Sequence, residues 1–373
     1  MSPAKTLPST AGSRVSDILR IESHKGGYEA HFGEQAVTQV LHPPPDNAHF
    51  IVDRRVAKIY ATQLESVLTS NSVLQIEATE QAKSLDQFTK YVEELVSQGI
   101  RRDHMLFAIG GGIIQDITCF LAATLLRGVE WRFCPTTLLA QADSCIGSKS
   151  SINVGGVKNI LGTFTPPKEI YISAHFLETL DEADVRSGVG EMLKVHAIDG
   201  RKSFDRIAED YDQLFSEGTV MEGYIRRSLE IKRHYIEEDE FDQGPRNIFN
   251  YGHSFGHAIE AATNFGLPHG LAVTIGMDMA NYTAGQFGVA SNSIFTQMHP
   301  VLAKNFKGYE NLDVPLEDFL SAIGRDKKNQ GSGTVTLILP TDEGSVEKGV
   351  YANDANFHRI CADYLNTARQ NDV

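Results

Sequence analysis

The sequence predicts an α/β fold in two parts, an open sheet flanked by helices and then a mostly helical half. Three observations carry that reading. The early chain runs strand, helix, strand, glycine turn, helix; the turn is three glycines, Gly110 to Gly112, placed where a strand meets a helix; and from about Leu177 helical periodicity takes over. A length of 373 residues suits two domains with real cores. The expected division is a flexible tail over 1–20, an α/β domain over 21–178 and a mostly helical domain over 179–373.

Each element has its own warrant. "HFIVDRRV" reads as a short buried strand that turns at Asp53, and "SVLQIEA" as a second strand. "SLDQFTKYVEELVSQG" spaces its apolar residues as a helix does and stops at Gly99. "HMLFAIGGG" is a third strand, and a long apolar helix follows from Ile113 to about Leu126. The stretch from Pro135 to Pro167 is too polar and glycine-rich for plain core. "LDEADVRSGVGEMLKVHAI", "VMEGYIRRSLEIKRHYIEED" and "YGHSFGHAIEAAT" are helical in period, and strand-like residues return only at "TVTLILP".

Composition narrows the function classes. Hydrophobic residues make up 41% and charged residues 22%, as in an ordinary soluble domain. With 34 basic and 48 acidic residues the formal charge is -14, which argues against a nucleic-acid or anionic-membrane partner. An acidic protein that handles an anion must gather its Lys and Arg at the site. The four cysteines show no paired spacing, so a reduced, cytoplasmic setting is expected rather than a disulfide framework. No apolar run reaches bilayer length, and the Ser-, Thr- and Pro-rich start lacks a signal-peptide core.

Several clusters suggest chemistry, each with a plainer alternative. Glycines at a strand-to-helix turn let a backbone approach a pyrophosphate at a helix N-terminus, although a tight turn alone needs them too. "DSCIGSKSSINVGGVKN" sets Asp143, Lys149, Lys158 and Asn159 among small residues, either to cradle a phosphate or as a solvated loop. His253 and His257 stand four apart on one helical face, with His269 after a turn. Glu191, expected to open a separate helix, offers a carboxylate, or else an i, i+3 ion pair with Lys194. Lys232, Arg246 and Asn250 precede the histidines, and an Arg with a nearby Lys makes a carboxylate clamp. "GRDKKNQG" adds Lys327 and Lys328.

Taken together, "GGGIIQD", "RGVEWRFCPTTLLAQADSCIGSK", "GGVKNILGTF", "GVGEMLK", "RNIFNYGHSFGHAIE" and "PHGLAVTIGM" resemble, in order, the signatures of the dehydroquinate synthase family of sugar phosphate cyclases. The resemblance implies a Rossmann-like nucleotide-binding domain followed by a helical metal-binding domain. By motif position it implies zinc, or cobalt, on Glu191, His253 and His269, with His257 near the substrate phosphate instead of on the metal. Asp53, Glu80 and Lys83 match contacts to the adenosine side of NAD, and Gly111, Gly112, Asp116, Thr136, Thr137 and Lys158 match contacts to its other portions. Asp143, Lys149, Asn159, Lys194, Lys232, Arg246, Asn250 and one of Lys327 or Lys328 match substrate contacts. Arg127 matches an arginine that reaches the neighbouring subunit's phosphate site, which implies a homodimer.

The implied chemistry is transient NAD-dependent oxidation of a sugar phosphate, elimination of phosphate, return of the hydride and aldol closure of a carbocycle. Lys232 and Arg246 stand where family members face a substrate carboxylate, which favours the seven-carbon keto-acid phosphate (DAHP) and 3-dehydroquinate synthase activity. Departures at Ser148, Asp242, Pro245 and Leu271 keep a specialised paralogue in view, acting on the amino analogue or on sedoheptulose 7-phosphate. An iron-type alcohol or glycerol dehydrogenase is a further alternative with the same domain plan.

Overall fold

The structure, a computed structural model, describes residues 17–155, 157–325 and 333–370. Most of the stretch read as a tail, and both Lys327 and Lys328, lie outside the described residues. Within the described part of that stretch the reading needs correcting. Ile18–Ile21 is a strand, β1, paired antiparallel with β2, Tyr28–Phe32. Leu19 and Ile21 are buried while their neighbours are exposed, the alternation of a half-buried strand, but Ile18 on the exposed side is apolar too and hides that period in the sequence.

The main sheet has seven strands: β1, β2, β3 (Ala48–Asp53), β4 (Val73–Ile76), β5 (Met105–Gly110), β6 (Glu130–Pro135) and, after a separate hairpin, β9 (Glu169–Ile172). Their order is β1-β2-β9-β6-β5-β3-β4, parallel throughout except for β1. Both faces are covered. Leu106 and Ala108 join one apolar core and Phe107 and Ile109 another, as successive residues of a strand must. Helices α1 (Leu85–Ser97) and α2 (Gly112–Thr124) arise where the sequence places them, and Gly99 takes the positive φ that ends α1's turn.

Two features escape the sequence reading. The polar stretch after β6 holds a π-helical turn, Ala140–Ser144, and a hairpin of β7 (Ile152–Val154) and β8 (Val157–Leu161). Glu191 does not open a helix; it lies mid-way along α3, Glu182–Asp199. The second half then stacks α4 (Gly218–Glu238), α5 (His253–Ala262) and α6 (His269–Phe287), and closes with a β-ribbon of β10 (Thr334–Pro340) and β11 (Val346–Ala352) and helix α7 (Ala355–Asn366). No helix among the described residues is long and apolar enough to cross a membrane. All four cysteines are buried and free.

Candidate active site

The chain leaves β3 toward β4 on one side and returns to β5 on the other, so the winding reverses between β3 and β5. A crevice at the C-terminal strand ends is where α/β sheets receive ligands. Asp53 ends β3 and caps the next turn through Arg55 N at 2.8 Å; Gly110 ends β5; Thr136 and Thr137 follow β6. A Cβ on Gly111, the N-cap of α2, would lie 2.9 Å from Thr137 Cγ2, so the turn sits tight against the β6 end. Lys83 is buried, 3.0 Å from Asp116 Oδ2 and 3.8 Å from Glu80 Oε1. Burial pushes the Asp116 carboxyl up to about 6, against the pull of Lys83. These residues therefore share one edge, as a dinucleotide would require.

The second cluster gathers where α3, α5 and α6 touch at backbone distance. A Cβ on Gly270 would lie 1.8 Å from Ser187 O, and one on Gly276 would lie 2.0 Å from Gly252 O. Only glycine permits those approaches. They bring Glu191 Oε1 to 3.6 Å from His253 Nε2 and 3.5 Å from His269 Nε2. Donors about 2.0–2.1 Å from a tetrahedral zinc are roughly 3.4 Å apart, so this trio has the spacing of a zinc site. Glu191 is buried and its Oε1 accepts no hydrogen bond, as suits an oxygen reserved for a cation. The ligand atoms of His253, His257 and His269 also lie within 4.8 Å of one another, so His257 borders the same space. The trio with Glu191 supplies the charge that a dication needs.

Both ring orientations are set from behind. His253 Nδ1 lies 3.2 Å from Tyr251 O, and His269 Nδ1 lies 3.3 Å from each oxygen of Glu260. With Nδ1 donating, Nε2 is left free of a proton and aimed at Glu191. Glu260 escaped the sequence reading, although its place three residues after His257 on α5 was available as a signal.

The cations converge beside this centre. Lys194 Nζ is 2.5 Å from Glu191 Oε2 and 3.7 Å from Asp143 Oδ2, and Lys232 Nζ is 3.0 Å from Asp143 Oδ1. The Glu191–Lys194 pair is thus a buried one and not a surface helix pair. Burial favours the protonated Asp143, but Lys194, Lys232 and Arg246 outweigh it and hold this carboxyl well below its usual range. Burial lowers Lys232, with Asp143 opposing; for Lys194 the same opposition from Asp143 and Glu191 prevails and raises it. Arg246 is 6% exposed and its guanidinium makes no ion pair among the described residues, Nη1 donating to Glu240 O at 2.7 Å while the backbone N–H donates to Asp239 Oδ2 at 3.2 Å. Lys149 Nζ rests 2.5 Å from Asp242 Oδ2, and Asn250 ends the short 3-10 helix that begins at Pro245 beside Arg246.

Other sequence candidates stand apart. Lys158 lies over the Phe265 ring, 3.3 Å from its centroid, and Asn159 is exposed on the same hairpin, its backbone N–H bonded to Asn153 Oδ1. Arg127 occupies an exposed left-handed corner, φ 67, and forms no ion pair among the described residues.

Comparison with known proteins shows the family. The family model of the 3-dehydroquinate synthase N-terminal part matches residues 73–187, and that of its C-terminal part residues 188–329. A 3-dehydroquinate synthase from Dictyoglomus thermophilum is 34% identical over 334 residues, 88% of this chain and 93% of the relative. In fold, a 2-deoxy-scyllo-inosose synthase complexed with carbaglucose-6-phosphate, NAD+ and Co2+ matches with a TM-score of 0.79 at 21% identity, over 92% of this chain and 98% of its own. A 2-epi-5-epi-valiolone synthase from Streptomyces hygroscopicus with NAD+ and Zn2+ bound matches at 0.78 and 23%, over 98% and 100%. At 34% identity across nearly the whole relative, and with both family models matched in order, this chain belongs to the 3-dehydroquinate synthase family of sugar phosphate cyclases.

Proposed function

We propose that the chain is a zinc- and NAD-dependent 3-dehydroquinate synthase that closes the seven-carbon keto-acid phosphate into a carbocycle with loss of phosphate. One observation carries the substrate assignment: the buried guanidinium of Arg246, which makes no ion pair among the described residues, acts electrostatically on both Lys232 and Lys194. A buried guanidinium is costly unless an anion meets it, and a substrate carboxylate supplies one. Small alcohols offer no such anion, which disfavours the alcohol dehydrogenase reading.

Glu191, His253 and His269 would hold zinc or cobalt, and the strand-end residues from Asp53 to Thr137 would hold NAD. When bound, the metal supplies Lewis acidity and the nicotinamide a reversible hydride sink. The chain's own residues do the rest. Lys232 and Arg246 bind the carboxylate, Lys149 and Lys194 hold anionic oxygens, His257 stands at the open side of the histidine cluster to carry a proton, and the buried walls exclude water. Arg127 of a second copy would complete the phosphate site of a homodimer.

Most departures from the family pattern have local reasons. Asp242 has a φ of 59, a left-handed conformation that Asp tolerates better than Glu. Pro245 starts the short helix that bears Arg246, where its fixed φ fits, and Leu271 is core. Nothing in the structure explains Ser148.

Phosphate release by the zinc-loaded protein with NAD, offered the keto-acid phosphate and sedoheptulose 7-phosphate side by side, tests the proposal. Release from the keto acid alone, with the mass of dehydroquinate and no net NADH, is the expected result. Release from the sugar alone, or only from the amino analogue, would move the chain to a specialised branch, and net NADH from a simple alcohol would remove the cyclase reading.

A further inference from the structure

We propose that the turn joining β1 and β2 together with the first residue of β2, residues 22–28, positions the anion clamp of the active site, with His24 and Tyr28 acting through Glu240 and Gly147 on Arg246 and Lys149. The proposal rests on the cyclase reading above and assigns a role to a segment that lies ahead of residue 73, where the family match begins.

Two sets of contacts run from this segment to the residues on either side of the Arg246 guanidinium, one to a backbone N–H and one to a side-chain carboxylate. The first starts at Tyr28, which is buried and whose hydroxyl accepts a hydrogen bond from Gly147 N at 2.9 Å. Gly147 has a φ of +107, and a Cβ there would lie 3.1 Å from Arg246 Nη2. Its peptide is therefore laid directly against the guanidinium, and Lys149 follows two residues on. The second contact starts at His24, whose backbone N–H donates to Glu240 Oε2 at 2.7 Å while its ring Nδ1 lies 2.9 Å from Oε1. The same Glu240 accepts Arg246 Nη1 at its carbonyl, at 2.7 Å. The guanidinium is thus seated between two backbone segments, and each is held from this one stretch, by His24 in the six-residue turn and by Tyr28 at the start of β2.

The grip crosses from the sheet half to the helical half. Glu22 N donates to Glu237 Oε1 at 3.1 Å and Arg233 Nη1 to Arg20 O at 3.3 Å, at the end of α4. The His24 ring packs on Phe241 with centroids 5.2 Å apart, and Phe164 packs on the other side of Phe241 at 5.0 Å. β2 itself is anchored by pairing with β9 and does not need His24 for its place in the sheet. What His24 and Tyr28 do restrain is the relation of Gly147 to Glu240, which sets the width of the slot in which Arg246 lies. A reacting carboxylate and phosphate held at fixed separation need that width constant, because small displacements of a clamp cost binding steeply.

The test uses the full chain, loaded with zinc and NAD, as His24→Ala, His24→Asn and Tyr28→Phe variants. The readouts are KM and kcat for the keto-acid phosphate, preference for it over sedoheptulose 7-phosphate, affinity for inorganic phosphate by calorimetry, NAD affinity and thermal midpoint. Leaving the Gly147 N–H without its acceptor, or Glu240 Oε1 without the His24 ring, should raise KM for the keto acid about tenfold and lower the preference by a similar factor, with NAD affinity unchanged. His24→Asn keeps a side-chain donor at the turn and should recover most of the loss. A lower thermal midpoint with KM and preference unchanged would overturn the proposal, since the turn would then be a structural prop alone. If the wild type turns over neither sugar yet binds phosphate, and the variants bind it about tenfold more weakly, the positioning role stands and the substrate assignment falls. A wild type that neither turns over nor binds phosphate removes both.

Discussion

A guanidinium kept out of water, with one carbonyl partner and no ion pair among the described residues, makes Arg246 expensive in the free protein and valuable in the complex. Arg246→Ala should therefore cost about 2–5 kcal/mol in kcat/KM for a carboxylated substrate, as expected when one partner of a buried charge pair is lost, and far less for an uncarboxylated one. Parallel assays on the two substrates check this, and equal losses would dissolve the argument for the keto acid. Glu260 makes a different kind of prediction. Holding Nδ1 of His269 from 3.3 Å, it should strengthen metal binding without touching the metal. Glu260→Ala is expected to weaken zinc affinity about 10–100-fold in a chelator competition, with Glu260→Gln in between. Asp116 titrates in an accessible range. Its folded value of about 6 is above its ordinary 3.8, so between those pH values the folded chain holds a proton that the unfolded chain has released. This group's contribution to stability therefore falls as pH rises through the window, by up to about 3 kcal/mol at about 1.4 kcal/mol per pH unit. The change in denaturant midpoint from pH 4 to pH 6 should be more positive in Asp116→Asn than in the wild type.

At the scale of elements, glycines decide where helices meet. Gly270→Ala forces a methyl onto Ser187 O and should cost roughly 1–3 kcal/mol or more, with zinc retention weakened because α3 and α6 must part. Gly223, exposed within α4 with open space around its Cβ position, should behave in the opposite way. Gly223→Ala is expected to stabilise by about 1 kcal/mol in the same denaturation assay. The sheet strands β3, β4 and β5 and helices α1 and α2 were legible in the sequence because their apolar runs and stop signals are strong. The histidine helix was legible too, since four-residue spacing fixes His253 and His257 on one face. β1 and β2 were not, because two short strands near a polar tail carry too few residues to show a period. Glu191 was seen as a carboxylate but misplaced at a helix start, although the helical period of LDEADVRSGVGEMLKVHAI already runs through it, and Gly188 and Gly190 interrupt that period. Those glycines are packing contacts, and packing partners far along the chain leave no local trace.

For the whole molecule, the proposed homodimer turns Arg127 into a testable exchange. A chain carrying Arg127→Ala keeps its own metal ligands, and one carrying His253→Ala keeps its own arginine. Mixing and reannealing the two inactive chains should restore about a quarter of wild-type activity, the share of intact sites that random pairing of a two-fold dimer yields. No restoration would return Arg127 to its own subunit. The acidic net charge, -14 overall, sits beside a site with three buried cations, so the chain concentrates its attraction for anions in one place and repels them elsewhere.

The four buried thiols offer a way to watch this molecule open. Burial raises Cys119 and Cys145 to about 12, so in the folded state they are protonated as well as hidden, and an alkylating reagent meets them only after local or global opening. Cys119 lies on α2 and Cys134 on β6, Cys361 lies on α7 at the far end of the helical half, and Cys145 lies two residues from Gly147 at the seam. Mass spectrometry of slowly accumulating adducts would therefore order the opening of sheet, seam and helical half within one untouched chain. If the halves part more readily than either unravels, Cys145 will be the first to acquire its mark.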